Sequence, residues 1–245
     1  MKYAPISPIN YVNILDQTNP TILMALSHLK NHKEYVKYYH DYSGELILDN
    51  GEAENSQLSY DDLIDAITIF QPTIFVLPDS ILDSQNTIKK SLNFLNLVID
   101  KFPKVSFMAV PQGNNPSEYL ACIKAFRDID EIQYLGISRF AAATAFSDRC
   151  SCLKEIHELT TNKKLHILGC NNPLEVTYLK TFSNVMSIDS CIAILYAINN
   201  QILPIDVAGL TRLKTPTDYF ERSMDTSQLK LAVDNIKIFN SLLEN

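Results

Sequence analysis

Short apolar, β-branched runs recur along this chain with amphipathic segments between them, and that alternation limits the folds open to it. The runs fall at residues 21–27, 45–49, 73–77, 105–110, 134–137, 165–168, 185–188 and, more weakly, 202–205. Their continuous apolar character suits parallel strands covered on both faces. Helical periodicity marks residues 59–70, 84–101, 116–129, 148–161, 173–182, 191–199 and 228–243. Ser59 followed by acids reads as a helix start, and Pro116 sits where a first helical turn tolerates proline. Strands alternating with helices imply βαβ units and a parallel sheet. About eight strands in 245 residues favour one closed (β/α)8 TIM barrel, with an open doubly wound sheet as the alternative. No linker, low-complexity segment or repeat divides the chain, so a single domain over residues 1–245 is expected.

Composition narrows the class. Hydrophobic residues make up 46% and charged residues 20%, as in an ordinary globular protein. No apolar run approaches the ~20 residues that span a bilayer. The opening MKYAPISPIN has no long apolar core, so a signal peptide is not expected and a cytoplasmic location is. The net charge of −7 argues against a protein coated in nucleic acid but leaves room for a local basic groove. Five cysteines, an odd number, suggest reduced thiols. Cys150 and Cys152 with His157 nearby hint at zinc, but the second pair of a structural site is missing; a helix-start cysteine pair is the simpler reading.

The strand ends carry the chemistry. Run 45–49 ends in Asp49, followed by Asn50 and Gly51; TIFVLPD ends in Asp79; VSFMAVPQG ends in Gln112 and Gly113; VMSIDS carries Asp189. In a barrel these ends share the face that bears active sites. The six glycines are Gly44, Gly51, Gly113, Gly136, Gly169 and Gly209, and five of them are expected at or beyond a strand's C-terminal end. Turn chemistry alone explains the glycines; it explains the accompanying carboxylates less well. No GxxxxGK[ST] loop, GxGxxG fingerprint or GxSxG elbow occurs, so no cofactor is expected. His166 is expected at the N-terminal end of its strand, away from the mouth, as a structural histidine. His157 is expected on a solvated helix. Three acids in different environments can divide nucleophilic and proton-transfer work. Spacing alone allows a glycosidase, an aldolase-like enzyme or a base-exchange enzyme.

Taken in order, ILDNGEAE, FVLPDSILDS, AVPQG, YLGIS, LHILGCNNPLE and SIDSC resemble the motif series of the tRNA-guanine transglycosylase superfamily over about residues 46–191. The resemblance implies Asp189 as the nucleophile at C1′ and Asp49 as the acid/base for the proton of the entering base. It implies Asp79 as the carboxylate reading a guanine-like edge, with Gln112 and Gly113 at the base carbonyl and the Leu135–Gly136 backbone beside the base. Asn50 joins the substrate-binding set. The chemistry implied is exchange of guanine for a 7-deazaguanine through a covalent glycosyl-enzyme.

Three departures refine the expectation. Asn50-Gly51-Glu52-Ala53-Glu54 replaces the usual small and aromatic block, so the base clamp differs. YLGIS has one glycine where two are common. No cysteine follows Cys191, so the zinc subdomain of the family is not expected, and no metal with it. This short, acidic form is most similar to phage-type transglycosylases that place 7-deazaguanines, such as 7-cyano-7-deazaguanine, in DNA. Its target base would be flipped into the pocket. Arg139, Arg149 and Arg212 are candidates to meet phosphates, against a bland role as surface charges. The alternatives are a tRNA-directed enzyme that takes its RNA surface from a partner protein, and a non-catalytic nucleobase-binding subunit. A homodimer is a further assembly left open.

Overall fold

A computed structural model describes residues 1–205 and 213–244. Eight parallel strands form one sheet: β1 (Lys2–Pro5), β2 (Ile22–Leu26), β3 (Glu45–Asp49), β4 (Ile74–Val76), β5 (Ser106–Ala109), β6 (Ile132–Ser138), β7 (Lys164–Leu168) and β8 (Val185–Ser190). They are hydrogen-bonded in the order β1-β8-β7-β6-β5-β4-β3-β2. The two end strands come back beside each other, so the sheet curls into a nearly closed (β/α)8 barrel. The helices between the strands are α1 (Lys33–His40), α2 (Tyr60–Phe70), α3 (Ser84–Val98), α4 (Pro116–Arg127), α5 (Arg139–Phe146), α6 (Arg149–Ile156), α7 (Glu175–Leu179) and α8 (Ile192–Ile198), followed by α9 (Thr226–Glu244).

Alternation along each strand separates two apolar layers. Leu46 and Leu48 of β3 join the large core between sheet and helices, while Ile47 joins Met24, Ile74, Val76, Met108 and Tyr134 inside the barrel. The inner layer is small and apolar in its middle. Above it, the same inward register brings polar side chains to the C-terminal rim. Asp49 is two residues beyond Ile47, and on β8 Ser187 is followed two residues on by Asp189. Period-two geometry thus places carboxylates at the mouth as a continuation of the barrel interior.

The helix starts follow local side-chain chemistry. Ser59 accepts from the Asp62 N–H while Asp62 answers to the Ser59 N–H, a reciprocal cap on α2. Asp83, Asn115, Ser138 and Asp148 each accept from an N–H in the first turn of α3, α4, α5 and α6. Such caps contribute about 1 kcal/mol each.

The expected eighth strand is elsewhere. Residues 202–205 join no ladder; the Leu203 N–H goes to the side chain of the buried Asn235 on α9. Its place is taken by β1, which pairs with β8 from Lys2↔Ser187 to Pro5↔Ser190. Tyr3 locks that edge by stacking on Phe239 of α9 at 4.3 Å and donating from its hydroxyl to the Ser190 carbonyl at 2.9 Å. α1 and α5 also went unread: KEYVKYYH is charged and tyrosine-rich, and RFAAATAF follows β6 without a loop.

Candidate active site

The C-terminal mouth of the barrel holds a cavity of about 890 Å³, within the range of small-molecule sites. Asp49, Asn50, Asp79, Gln112 and Asp189 all line it, contributed by the ends of β3, β4, β5 and β8.

Asp79 sits in an amide clamp. It is buried, as are Asn50 and Gln112. Asn50 Nδ2 donates to Asp79 Oδ1 at 2.8 Å and to the Leu77 carbonyl at 2.8 Å. Gln112 Nε2 donates to Asp79 Oδ2 at 2.6 Å, and its Oε1 accepts from the Leu82 N–H at 3.0 Å. Each amide is therefore fixed in orientation by a backbone group. Burial pushes the Asp79 carboxyl up to about 7, against the lowering effect of the two amides. Both carboxylate oxygens keep a free lone pair, and Gln112 Nε2 keeps one N–H. With the carboxylate ionised, that arrangement can accept two further hydrogen bonds and donate one.

Asp189 is buried on β8. Its Oδ1 accepts from His166 Nε2 at 3.1 Å and from the Gly169 N–H at 3.1 Å. Gly169 has φ +65°, a left-handed conformation that turns its N–H back toward the carboxylate and favours glycine. Asp49 has its own anchor: its Oδ2 accepts from the Gly51 N–H at 2.8 Å, and its carbonyl accepts from the Ser27 hydroxyl. Burial pushes the Asp49 carboxyl up to about 6, and the charge of Asp189 adds to the rise. Glu54 overhangs the mouth from the loop after β3. Its side chain reaches solvent, yet crowding by neighbouring atoms and the charge of Asp49 raise its carboxyl as well. Asp49 and Asp189 thus offer one carboxylate tied to the barrel wall and one that exchanges a proton near neutrality.

The lining has one sign of charge. Asp49, Glu52, Glu54, Asp79, Asp189 and Glu221 face the cavity, and no Lys or Arg lines it among the described residues. His28 is the remaining titratable imidazole there; burial lowers its pKa, and its Nδ1 is enclosed without a hydrogen-bond partner. Ile81 and Phe140, 47% and 58% exposed, form an apolar lip.

Several expected residues lie elsewhere. Arg149 is not available to a phosphate. It is buried, paired with Glu175 by Nε–Oε1 at 2.7 Å and Nη2–Oε2 at 2.8 Å, and it caps the Leu168 carbonyl at 2.5 Å. It holds β7 to α6 and α7. Arg139 is exposed at the start of α5, beside the lip but outside the lining. Arg212 lies outside the described residues, as does Gly209. Gly113 serves packing: a Cβ there would come within 2.5 Å of the Tyr119 nitrogen on α4. The Leu135 side chain faces the helices. Gly136 faces inward below the cavity, where a Cβ would meet Leu168, Met108 and Val110 at 2.9 to 3.2 Å.

His166 is the main correction. β7 begins at Lys164, so His166 is mid-strand, points into the barrel and touches Asp189. His157 lies in a short 3-10 turn, edge-on to Phe182 at 5.3 Å. Cys152 is buried in α6, and among the described residues no three His, Cys, Asp or Glu side chains are grouped to hold a metal ion. No helix among them is long and apolar enough to cross a membrane. His28, Glu54 and Phe140 went unread as site residues. The first two stand in strand-end segments that could have been searched for second acids and bases; Phe140 has no distinguishing pattern.

Compared with known proteins, the chain matches no protein-family model and no curated sequence.

Proposed function

We propose that this protein is a base-exchange glycosyltransferase that replaces guanine with a 7-deazaguanine through a covalent Asp189 intermediate. The observation that carries this reading is the convergence of a wall-anchored Asp189, a proton-exchanging Asp49 and the amide-clamped Asp79 around one cavity. Asp79 and Gln112 engage the guanine edge. The free oxygen of Asp189 attacks C1′, and the C1′–N9 electron pair leaves with the base. Negative charge beside C1′ stabilises the oxocarbenium character of the transition state. The departing base takes up a proton, and Asp49, raised into the neutral range, can supply it. The entering 7-deazaguanine gives its N9 proton to Asp49, attacks C1′ and frees Asp189. Reading both bases through the same edge lets one clamp serve both half-reactions.

The proposed polymer is DNA, with tRNA the alternative. A nucleotide flipped from DNA would enter base first, with its phosphates outside the acidic cavity. Arg139, exposed next to Phe140 at the start of α5, is the candidate to meet them. A second reading is favoured by the all-acidic lining: a free guanine nucleoside, lacking phosphates, meets no repulsion there. One experiment separates these. The protein is incubated with labelled 7-deazaguanines and duplex DNA, tRNA or guanine nucleosides, and the nucleosides are then analysed by mass. Label in DNA supports the leading reading, label in tRNA or nucleosides selects an alternative, and label in none rejects base exchange.

A further inference from the structure

We propose that His166 is a positioning residue that holds Asp189 in its attacking geometry through one fixed imidazole tautomer. The proposal deepens the glycosyl-transfer reading and rests on it for its kinetic consequence. Its structural basis stands independently.

His166 and Ser187 are fully buried, inside the barrel and beneath the cavity floor. His166 Nδ1 lies 2.8 Å from Ser187 Oγ, and Nε2 lies 3.1 Å from Asp189 Oδ1. Ser187 and Asp189 are inward-facing neighbours on β8, and His166 pairs in register with Ser187 across the β7–β8 ladder. The three groups form a short chain in which each partner limits the next. A carboxylate only accepts, so Nε2 must carry the hydrogen. A neutral imidazole then presents a lone pair at Nδ1, which the Ser187 hydroxyl fills by donating. Every polar atom of the imidazole is satisfied with no second charge buried.

The consequence falls on Asp189. Both of its side-chain hydrogen bonds, from His166 and from the Gly169 N–H, arrive on Oδ1. Among the described residues Oδ2 has no hydrogen-bond partner and remains the oxygen able to attack. Two donors on one oxygen fix the carboxylate plane, and an imidazole orienting a functional group through its second nitrogen is a recurrent device. Purely structural packing would need neither the polar chain nor its direction. Tyr134 and Met108 fill the same interior with apolar atoms.

The direct readout needs no substrate. Long-range proton–nitrogen NMR on the full chain reports which imidazole nitrogen carries hydrogen. The expected result is Nε2–H in the wild type, kept in Ser187→Ala by the Asp189 carboxylate and lost in Asp189→Ala, where Nε2 has no acceptor. A wild-type Nδ1–H tautomer, or an imidazolium, overturns the proposal. The kinetic readout is single-turnover formation of the acid-stable adduct. His166→Leu should slow it about tenfold or more with base affinity unchanged, and His166→Gln, which returns a donor near the Nε2 position, should recover most of the rate. Equal rates in His166→Leu and wild type overturn the proposal. If wild type forms no adduct, the glycosyl-transfer reading fails, and the tautomer measurement still decides the role of His166. If His166→Leu does not fold, the tautomer comparison between wild type and Asp189→Ala still decides it.

Discussion

Asp79→Asn separates stability from recognition and gives the two opposite signs. Burial raises the Asp79 carboxyl from 3.8 to about 7. In the unfolded chain it ionises in the ordinary carboxylate range, so between those values the folded protein holds a proton that the unfolded chain has released. Stability from this group is therefore greatest at low pH and is lost as pH rises through about 7. From about pH 5 to about pH 8 the loss is roughly 3 kcal/mol, at ~1.4 kcal/mol per unit over the two units below the folded value. Asparagine cannot ionise, and it resembles the protonated acid in setting one donor against the amides of Asn50 and Gln112. The variant should match wild type in urea unfolding at about pH 5 and exceed it by about 3 kcal/mol at about pH 8. Guanine-type bases should bind it about 10- to 100-fold more weakly at about pH 8, the worth of a hydrogen bond to a charged acceptor. Calorimetric titration measures that loss. Parallel pH profiles of stability in the two proteins would refute the burial argument, and unchanged base affinity would refute the clamp.

Other perturbations test neighbouring parts of the account. Asp49→Asn should slow exchange strongly and erase the limb of the pH–rate profile near 6, where the half-buried Asp49 titrates; a surviving limb would assign that proton to another group. Glu175→Gln leaves the buried Arg149 guanidinium uncompensated and should cost about 3–5 kcal/mol in urea unfolding, with no specific effect on phosphate binding. A loss confined to nucleic-acid affinity would restore Arg149 to the interface. Gly113→Ala forces a Cβ against the α4 backbone and should lower the melting temperature, whereas weakened base binding at full stability would return Gly113 to the site.

The alternation of apolar runs made the barrel legible, because parallel strands covered on both faces leave little freedom in composition. Asp49, Asn50, Asp79, Gln112 and Asp189 were legible as strand-end residues for the same reason. β1 was not: four residues containing Lys2 and Pro5 carry no strand signal, and only pairing with β8 and the stacking of Tyr3 on Phe239 define them. Residues 202–205 have the composition of a strand, but the Leu203 N–H finds Asn235 instead of a ladder. His166 was misplaced by a strand boundary. An error of one residue there moves a side chain from the barrel floor to its edge, and the inward direction that joins it to Asp189 depends on register. Arg149 shows the limit for charges: its partner Glu175 is distant in sequence, so burial and pairing could not be read locally. Glu54 overhangs the mouth through the path of a loop with left-handed Gly51, Asn55 and Gln57, which no periodicity encodes.

The central claim is a covalent bond to Asp189. Wild-type protein is mixed with guanine-containing DNA, and in parallel with tRNA and guanine nucleosides, quenched with acid, digested, and its peptides mapped by mass. The account predicts a sugar adduct on the peptide containing Asp189, its absence in Asp189→Asn, and retained base binding in that variant. An adduct that persists in Asp189→Asn, mapped to Asp49 or Glu54, would contradict it and reverse the assignment of nucleophile and proton carrier.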